Sequence, residues 1–238
     1  MATSRVYLPF LNPEPSYLGS GNLSDKPRDP NVSTGVCVMR RESQRLESAC
    51  VFCGSSDAAD PEFLAAAGAI GKALADAGIR LVYGGGGVGL MGATARGAQE
   101  AGGDVLGIIP TFLVGVERAL ETVEHIIVDN MHERKMLMFQ RSDSFIVLPG
   151  GIGTLEEVVE LLSWRRLHLH AKPVVFYNPR GFWDPLFALF RHTVDERLTP
   201  PEFMDAWVSV TDVDAVVPAL LGQRREPYPS EAAVGRRG

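Results

Sequence analysis

No apolar run in the 238-residue chain approaches the ~20 residues of a membrane-spanning helix, so no membrane span is expected. Cysteine is scarce: Cys37, Cys50 and Cys53 are too few, and odd in number, for a disulfide framework. A basic surplus is missing as well. Lys and Arg number 23 against 29 Asp and Glu, a net charge of −6, which argues against nucleic acid as the main partner because phosphate backbones are bound by basic faces. The bias of a disordered chain is absent too: 45% of residues are hydrophobic and 22% charged, as in ordinary globular proteins. At ~150 residues per domain the length predicts one domain with appendages. A chain of this size buries roughly 70% of its unfolded surface and needs no staples.

Metal-ligand sets are also lacking. Cys50-x-x-Cys53 looks like half of a zinc or redox motif, but no second pair completes it. It lies inside the apolar run 49–53, which reads as a buried strand, where positions i and i+3 face opposite ways. His132-Glu133-x-x-Met136 carries Met where a metalloprotease helix needs its second His, and His168-x-His170 reads as a helix-end feature. No metal and no cofactor is expected, and no G-x-S-x-G elbow is present.

Residues 1–47 contain Pro9, Pro13, Pro15, Pro27 and Pro30 among Gly, Ser and Asn, without the layout of a signal peptide. They read as a flexible extension, and residues 223–238 read likewise. A cytoplasmic location is the default expectation. Between them, residues 48–222 alternate short apolar runs with helical periods, the pattern of an α/β parallel sheet covered by helices. Strands are expected at 50–53, 79–83, 104–109, 124–128, 145–148 and 174–177. Helices are expected at 61–76, 89–101, 131–141 and 154–167, with helical segments near 183–191 and 212–221. Asp60 is placed as the N-cap of the first helix and Pro61 at its first position.

In open α/β sheets ligands bind at the carboxyl ends of the strands. Three such ends are chemically unusual: Cys53-Gly54-Ser55-Ser56, the glycine loop 84–92, and the stretch 149–154. Glycine-rich turns that open helices present backbone N–H groups and a favourable dipole to an anion. Two of them in one sheet favour a phosphate ligand. Gly84-x-Gly86-x-x-Gly89 follows the second strand, not the first, and no acidic residue closes the next strand, so a dinucleotide site is disfavoured. Gly89 is followed by Leu90-Met91 where a Walker loop needs Lys-Ser/Thr, so an ATPase is disfavoured as well. A smaller phosphorylated ligand, such as a nucleoside monophosphate, remains.

Two segments bring reactive side chains to these loops. Arg134 and Lys135 fall in the first turn of a helix, where cations oppose the dipole. They either meet an anion or form a solvated Arg–Glu face. Thr154-x-x-Glu157 reads as a capping box, which by itself accounts for Glu157. A carboxylate behind a glycine turn at a strand end is equally placed as a general base or charge stabiliser. Glu156 and Glu160, four apart, read as a solvated or interface face.

Taken together, Pro149-Gly150-Gly151-x-Gly153-Thr154-x-x-Glu157 with Arg134-Lys135 upstream resembles the LONELY GUY (LOG) family of cytokinin riboside 5′-monophosphate phosphoribohydrolases, often labelled lysine decarboxylases. The stretches Tyr83-Gly84-Gly85-Gly86, Gly89-Leu90-Met91-Gly92 and Cys50-Val51-Phe52-Cys53-Gly54-Ser55 are similar too, so that the resemblance spans about residues 48–221. Trp164-Arg165-Arg166-Leu167-His168 departs from the Gln-Leu-Gly often found there, which leaves base selectivity open. The resemblance implies a Rossmann-like, doubly wound fold with helices on both faces, and a homodimer with sites bordered by both subunits. It implies hydrolysis of the N-glycosidic bond of a nucleoside 5′-monophosphate (AMP or isopentenyladenosine monophosphate) to free base and ribose 5-phosphate. Arg134 and Glu157 would be the catalytic pair. Gly150, Gly151, Gly153 and Thr154 would hold the phosphate, with Ser55, Gly85, Gly86, Met91 and Lys135 completing the substrate site. A carrier of a phosphorylated pterin, like the molybdenum-cofactor carriers, is the alternative. Lysine decarboxylation needs a Schiff-base lysine. Lys26, Lys72 and Lys172 lie in the extension, in the first helix and at a strand start, which leaves Lys135 alone near the loops.

Overall fold

The computed structural model describes residues 46–223. The expected extensions, 1–47 and 223–238, fall outside it apart from Leu46, Glu47 and Gln223. The described chain runs β1 (Ser48–Phe52), α1 (Pro61–Asp76), β2 (Arg80–Tyr83), α2 (Gly89–Glu100), β3 (Val105–Pro110), β4 (Glu124–Val128), α3 (Met131–Gln140), β5 (Ser144–Val147), α4 (Ile152–Arg166), β6 (Val174–Tyr177), α5 (Asp184–Asp195), β7 (Val208–Val210) and α6 (Val213–Gly222). Asp60 caps α1 as expected, its carboxylate accepting the Glu62 N–H at 2.9 Å. β7 was not anticipated: three residues on a half-exposed edge give no periodic signal.

All seven strands are parallel, in the order β4-β3-β2-β1-β5-β6-β7. The chain winds outward from β1 to one edge, returns beside β1 as β5, and winds to the other edge. Right-handed crossovers then place the helices of the two halves on opposite faces. Accordingly one core layer joins α1, α2 and α6 through Ile70, Leu74, Leu90, Ala95, Val216 and Leu220. The other joins α3, α4 and α5 through Met138, Val158, Leu161, Leu162 and the flanking Phe187 and Phe190. β1 alternates between the layers: Cys53 packs in the first and Cys50 in the second, so the pair lies on opposite faces as expected. Both are buried free thiols.

α1 and α2 approach until backbones touch. A Cβ on Gly97 would stand 2.0 Å from the Gly68 carbonyl oxygen, so this crossing admits no side chain there. Close docking of the two helices fixes the glycine loop that precedes α2.

This doubly wound order has its switch point between β1 and β5, where the following loops diverge and leave a crevice. Gly54 N–H donates to Pro149 O at 3.0 Å across that crevice and ties the two loops at its floor.

Candidate active site

A cleft of about 340 Å³ opens at the switch point, within the range of small-molecule sites. The loop after β1 contributes Ser55 and Ser56, α2 contributes Met91, and α3 contributes Met131, Arg134 and Met138. The β5–α4 turn and the first turns of α4 contribute Gly151, Gly153, Thr154, Glu156 and Glu157. The three unusual strand ends therefore meet in one place.

The two glycine loops do different things there. α2 begins with its N–H groups already bonded: Gly89 N–H donates to Asp57 Oδ1 at 2.8 Å and Leu90 N–H to Gly54 O at 3.0 Å. That Gly89 N–H, with Arg118 at 2.6 Å from the other oxygen, holds the Asp57 carboxyl below its ordinary range. The expectation of two anion-binding loops is thus corrected. The protein's own carboxylate occupies the first, an arrangement invisible in the local pattern because Asp57 lies 32 residues from its partner Gly89.

α4 is the reverse case. It starts at Ile152 with Gly151 as N-cap and no side-chain cap, two residues earlier than expected. Thr154 therefore sits inside the helix, buried, and the capping box is not formed. The reason is steric: a Cβ on Gly150 would lie 2.2 Å from Thr154 Oγ1, so glycine lets the turn fold flat against Thr154 and the helix begin at once. Among the described residues, nothing takes the N–H groups of Ile152, Gly153 and Thr154, while Gly151 and Gly153 are exposed. These donors and the helix dipole converge at the cleft.

Arg134 is 5% exposed and reaches across α3 to the sheet. Its Nε donates to Ile108 O at 3.2 Å and its Nη2 to Gly84 O at 2.8 Å. Gly84 makes that possible, since a Cβ there would fall 2.0 Å from Nη2. The same Nη2 lies 3.6 Å from Glu117 Oε2, a buried oxygen that accepts no hydrogen bond from a donor among the described residues. Burial pushes the Glu117 carboxyl up, against the pull of Arg134.

Glu157 is the more perturbed carboxyl. Burial raises it to about 7, Arg134 opposes that rise, and Glu156 and Glu117 add to it. A carboxyl poised at neutrality in a cleft, beside a fixed cation, has the form of an acid–base or charge-stabilising group.

Of the expected site residues, Ser55, Met91, Arg134, Gly151, Gly153, Thr154 and Glu157 line the cleft. Gly85, Gly86 and Gly150 stand behind its wall. Gly85 O is 3.1 Å from His125 Nε2, and Gly86 packs under Met91 and Glu117. Lys135 does not line the cleft: it is buried and paired with Glu156 and, at 3.0 Å, with Glu160. Glu156 and Glu160, expected on a solvated or interface face, are its partners. Glu117 was missed, being in an irregular segment between β3 and β4 whose loop carries no periodicity.

A family model described as "Possible lysine decarboxylase" matches residues 91–220. The rice (Oryza sativa subsp. japonica) "Probable cytokinin riboside 5'-monophosphate phosphoribohydrolase LOGL9" is 45% identical over 177 residues, covering 74% of this chain and 78% of the relative. The chain belongs to the LOG family. Cytokinin riboside 5'-monophosphate phosphoribohydrolase LOG7 of Arabidopsis thaliana is 39% identical over 183 residues, 76% of this chain and 84% of the relative. Among solved structures, the molybdenum cofactor binding protein of Rippkaea orientalis superimposes with a TM-score of 0.59 at 24% identity, covering 75% of this chain and 98% of that one. The molybdenum cofactor carrier protein of Chlamydomonas reinhardtii gives 0.55 at 24%, covering 75% and 100%. At that identity the likeness shows the shared fold. The LOG-family cleft does not suit the decarboxylase description, because Lys135, the lysine nearest the loops, is tied up by two carboxylates and does not itself line the cleft.

Proposed function

We propose that the protein hydrolyses the N-glycosidic bond of nucleoside 5′-monophosphates, AMP or a prenylated adenosine monophosphate, to free base and ribose 5-phosphate. The observation that carries this reading is the pairing, in one cleft, of an uncapped α4 N-terminus with a carboxyl raised to about 7. The first suits a phosphate. The second suits a ribose that turns cationic as its glycosidic bond breaks. The LOG relatives are named for this reaction on cytokinin riboside monophosphates.

In this mechanism the phosphate docks on Gly151, Gly153 and Thr154, with Gly150 shaping the turn. Glu157, ionised, stabilises the oxocarbenium-like ribose and orients the attacking water. Arg134 favours the ionised form of Glu157 against the effect of burial. Glu117 supplies a buried acceptor for substrate hydroxyl or amine donors, and Ser55 lies at the β1 end of the cleft. Met91, Met131 and Met138 give the base an adaptable apolar wall.

Purified protein incubated with AMP and isopentenyladenosine monophosphate, beside the two ribosides without phosphate, is expected to release base from the monophosphates alone. Because the competent carboxylate forms above its midpoint, kcat should rise with pH and level off above about 7. Bound nucleotide without base release would instead support a carrier.

We also propose a homodimer. Met136 of α3, with Ile152 and Val159 of α4 and Leu167 just beyond it, exposes apolar side chains on the two cleft-bearing helices, a surface that a second copy would cover. Light scattering should give twice the 25.8 kDa chain mass, and a monomer at working concentration would remove this part of the proposal. A nucleotide substrate and unpaired Cys50 and Cys53 suit a reducing cytoplasm. No helix among the described residues is long and apolar enough to cross a membrane.

A further inference from the structure

We propose that Lys135 is a positioning residue: buried between α3 and α4 and paired with Glu156 and Glu160, it locks the turn carrying Glu157 against the helix carrying Arg134. The inference rests on the catalytic reading of Glu157. Glu156 and Glu160 are four apart and share one face of α4, on which Lys135 acts as a clasp. Glu157 is the residue next to Glu156, and Arg134 the residue before Lys135. One ion-pair cluster therefore sets the register of both reactive side chains.

Energetics favour a purposeful contact over a surface pair. The Lys135 side chain is 9% exposed, against 31% for Glu160 and 53% for Glu156. Burial pulls the ammonium down, yet the two carboxylates outweigh that and hold it above its ordinary value. Removing the lysine would leave two carboxylates on one helix face without their cation. One of them, Glu156, already opposes ionisation of Glu157. The charged groups acting on Glu157 are Arg134 and Lys135 from α3, Glu156 from its own helix and Glu117 from the loop before β4. The Cys50 and Cys53 thiols from the β1 side also feel its charge. Losing Lys135 thus moves Glu157 upward twice, through the missing cation and through the released Glu156.

The test compares Lys135→Met with the triple variant Lys135→Met/Glu156→Gln/Glu160→Gln, which is uncharged at all three positions. Base release across the neutral pH range, AMP affinity by calorimetry, and Glu157 titration by carbon NMR are the readouts. Lys135→Met is expected to lower kcat about 10- to 100-fold, the cost of a small misplacement. KM and AMP affinity should stay within about threefold. The acid limb and the Glu157 midpoint should both move to higher pH. The triple variant should lose no more kcat than Lys135→Met, because the three residues act as one unit. It also carries the test if Lys135→Met alone fails to fold, since it leaves no carboxylate unpaired. A KM raised tenfold or more with kcat retained would overturn the proposal and return Lys135 to the substrate anion, as would additive losses. A wild type that releases no base overturns the functional reading alone; the shift of the Glu157 midpoint then decides the clasp.

Discussion

Glu157→Gln is expected to abolish most base release, lowering kcat about 10³-fold, while KM for the monophosphate changes little. The amide keeps the shape and most of the hydrogen bonding of the carboxyl but removes the charge that an oxocarbenium-like ribose needs. In the proposed mechanism phosphate affinity comes from the α4 N-terminus, three to six residues earlier in the chain, and does not depend on that charge. The same variant should be more stable at alkaline pH. Glu157 has a folded pKa raised to about 7, above its unfolded carboxylate value, chiefly by burial. Its stabilising contribution is fully present below the unfolded value and is lost as pH rises through about 7. Above neutrality the wild type holds a partly desolvated charge that the amide lacks. The variant should therefore melt higher than the wild type above neutrality, with the difference closing as pH falls. A drop in Tm together with unchanged turnover would show that Glu157 is only a structural partner of α4.

The fold around this carboxyl was partly legible in the sequence. The bounds of α1, β4 and β6 follow from Pro61 behind Asp60 and from the apolar runs, and the doubly wound sheet follows from their alternation. The glycine strings marked the strand ends that form the cleft, because glycine at a strand end is a local signature. What stayed hidden depends on contacts between distant segments. Asp57 occupies the α2 N-terminus from a different loop, so a string that looks ready for an anion is already satisfied. Thr154 and Glu157 have the spacing of a capping box, yet Gly150 and Gly151 let the helix start two residues early and turn Thr154 inward. Glu117 is invisible in pattern because only the packing of its loop against Gly86 and Arg134 brings it into the cleft. Lys135 looked like a ligand by proximity to Arg134. One residue along a helix is about a 100° turn, enough to face another element.

Arg134→Ala is expected to damage activity and stability together, because three separate losses coincide. The carbonyls of Gly84 and Ile108 lose their guanidinium donors. Each buried acceptor left unsatisfied costs about 1–3 kcal/mol. Glu117 loses the cation 3.6 Å away in a site where burial already disfavours its charge. Glu157 loses its strongest opposing influence and moves further above about 7, so less of it is ionised at neutral pH. Turnover should fall about 10²- to 10³-fold or more at neutrality, with a lower Tm and an acid limb displaced upward. Arg134→Lys separates these effects. An ammonium restores a positive charge near Glu157 and should draw the limb part of the way back. It lacks the fixed fork that bonds the Gly84 and Ile108 carbonyls together, so the thermal loss should persist. If lysine restored both turnover and Tm, charge alone would account for Arg134. If it restored neither, the geometry of the guanidinium, joining the Gly84 and Ile108 carbonyls to Glu117, would be the dominant contribution to the site.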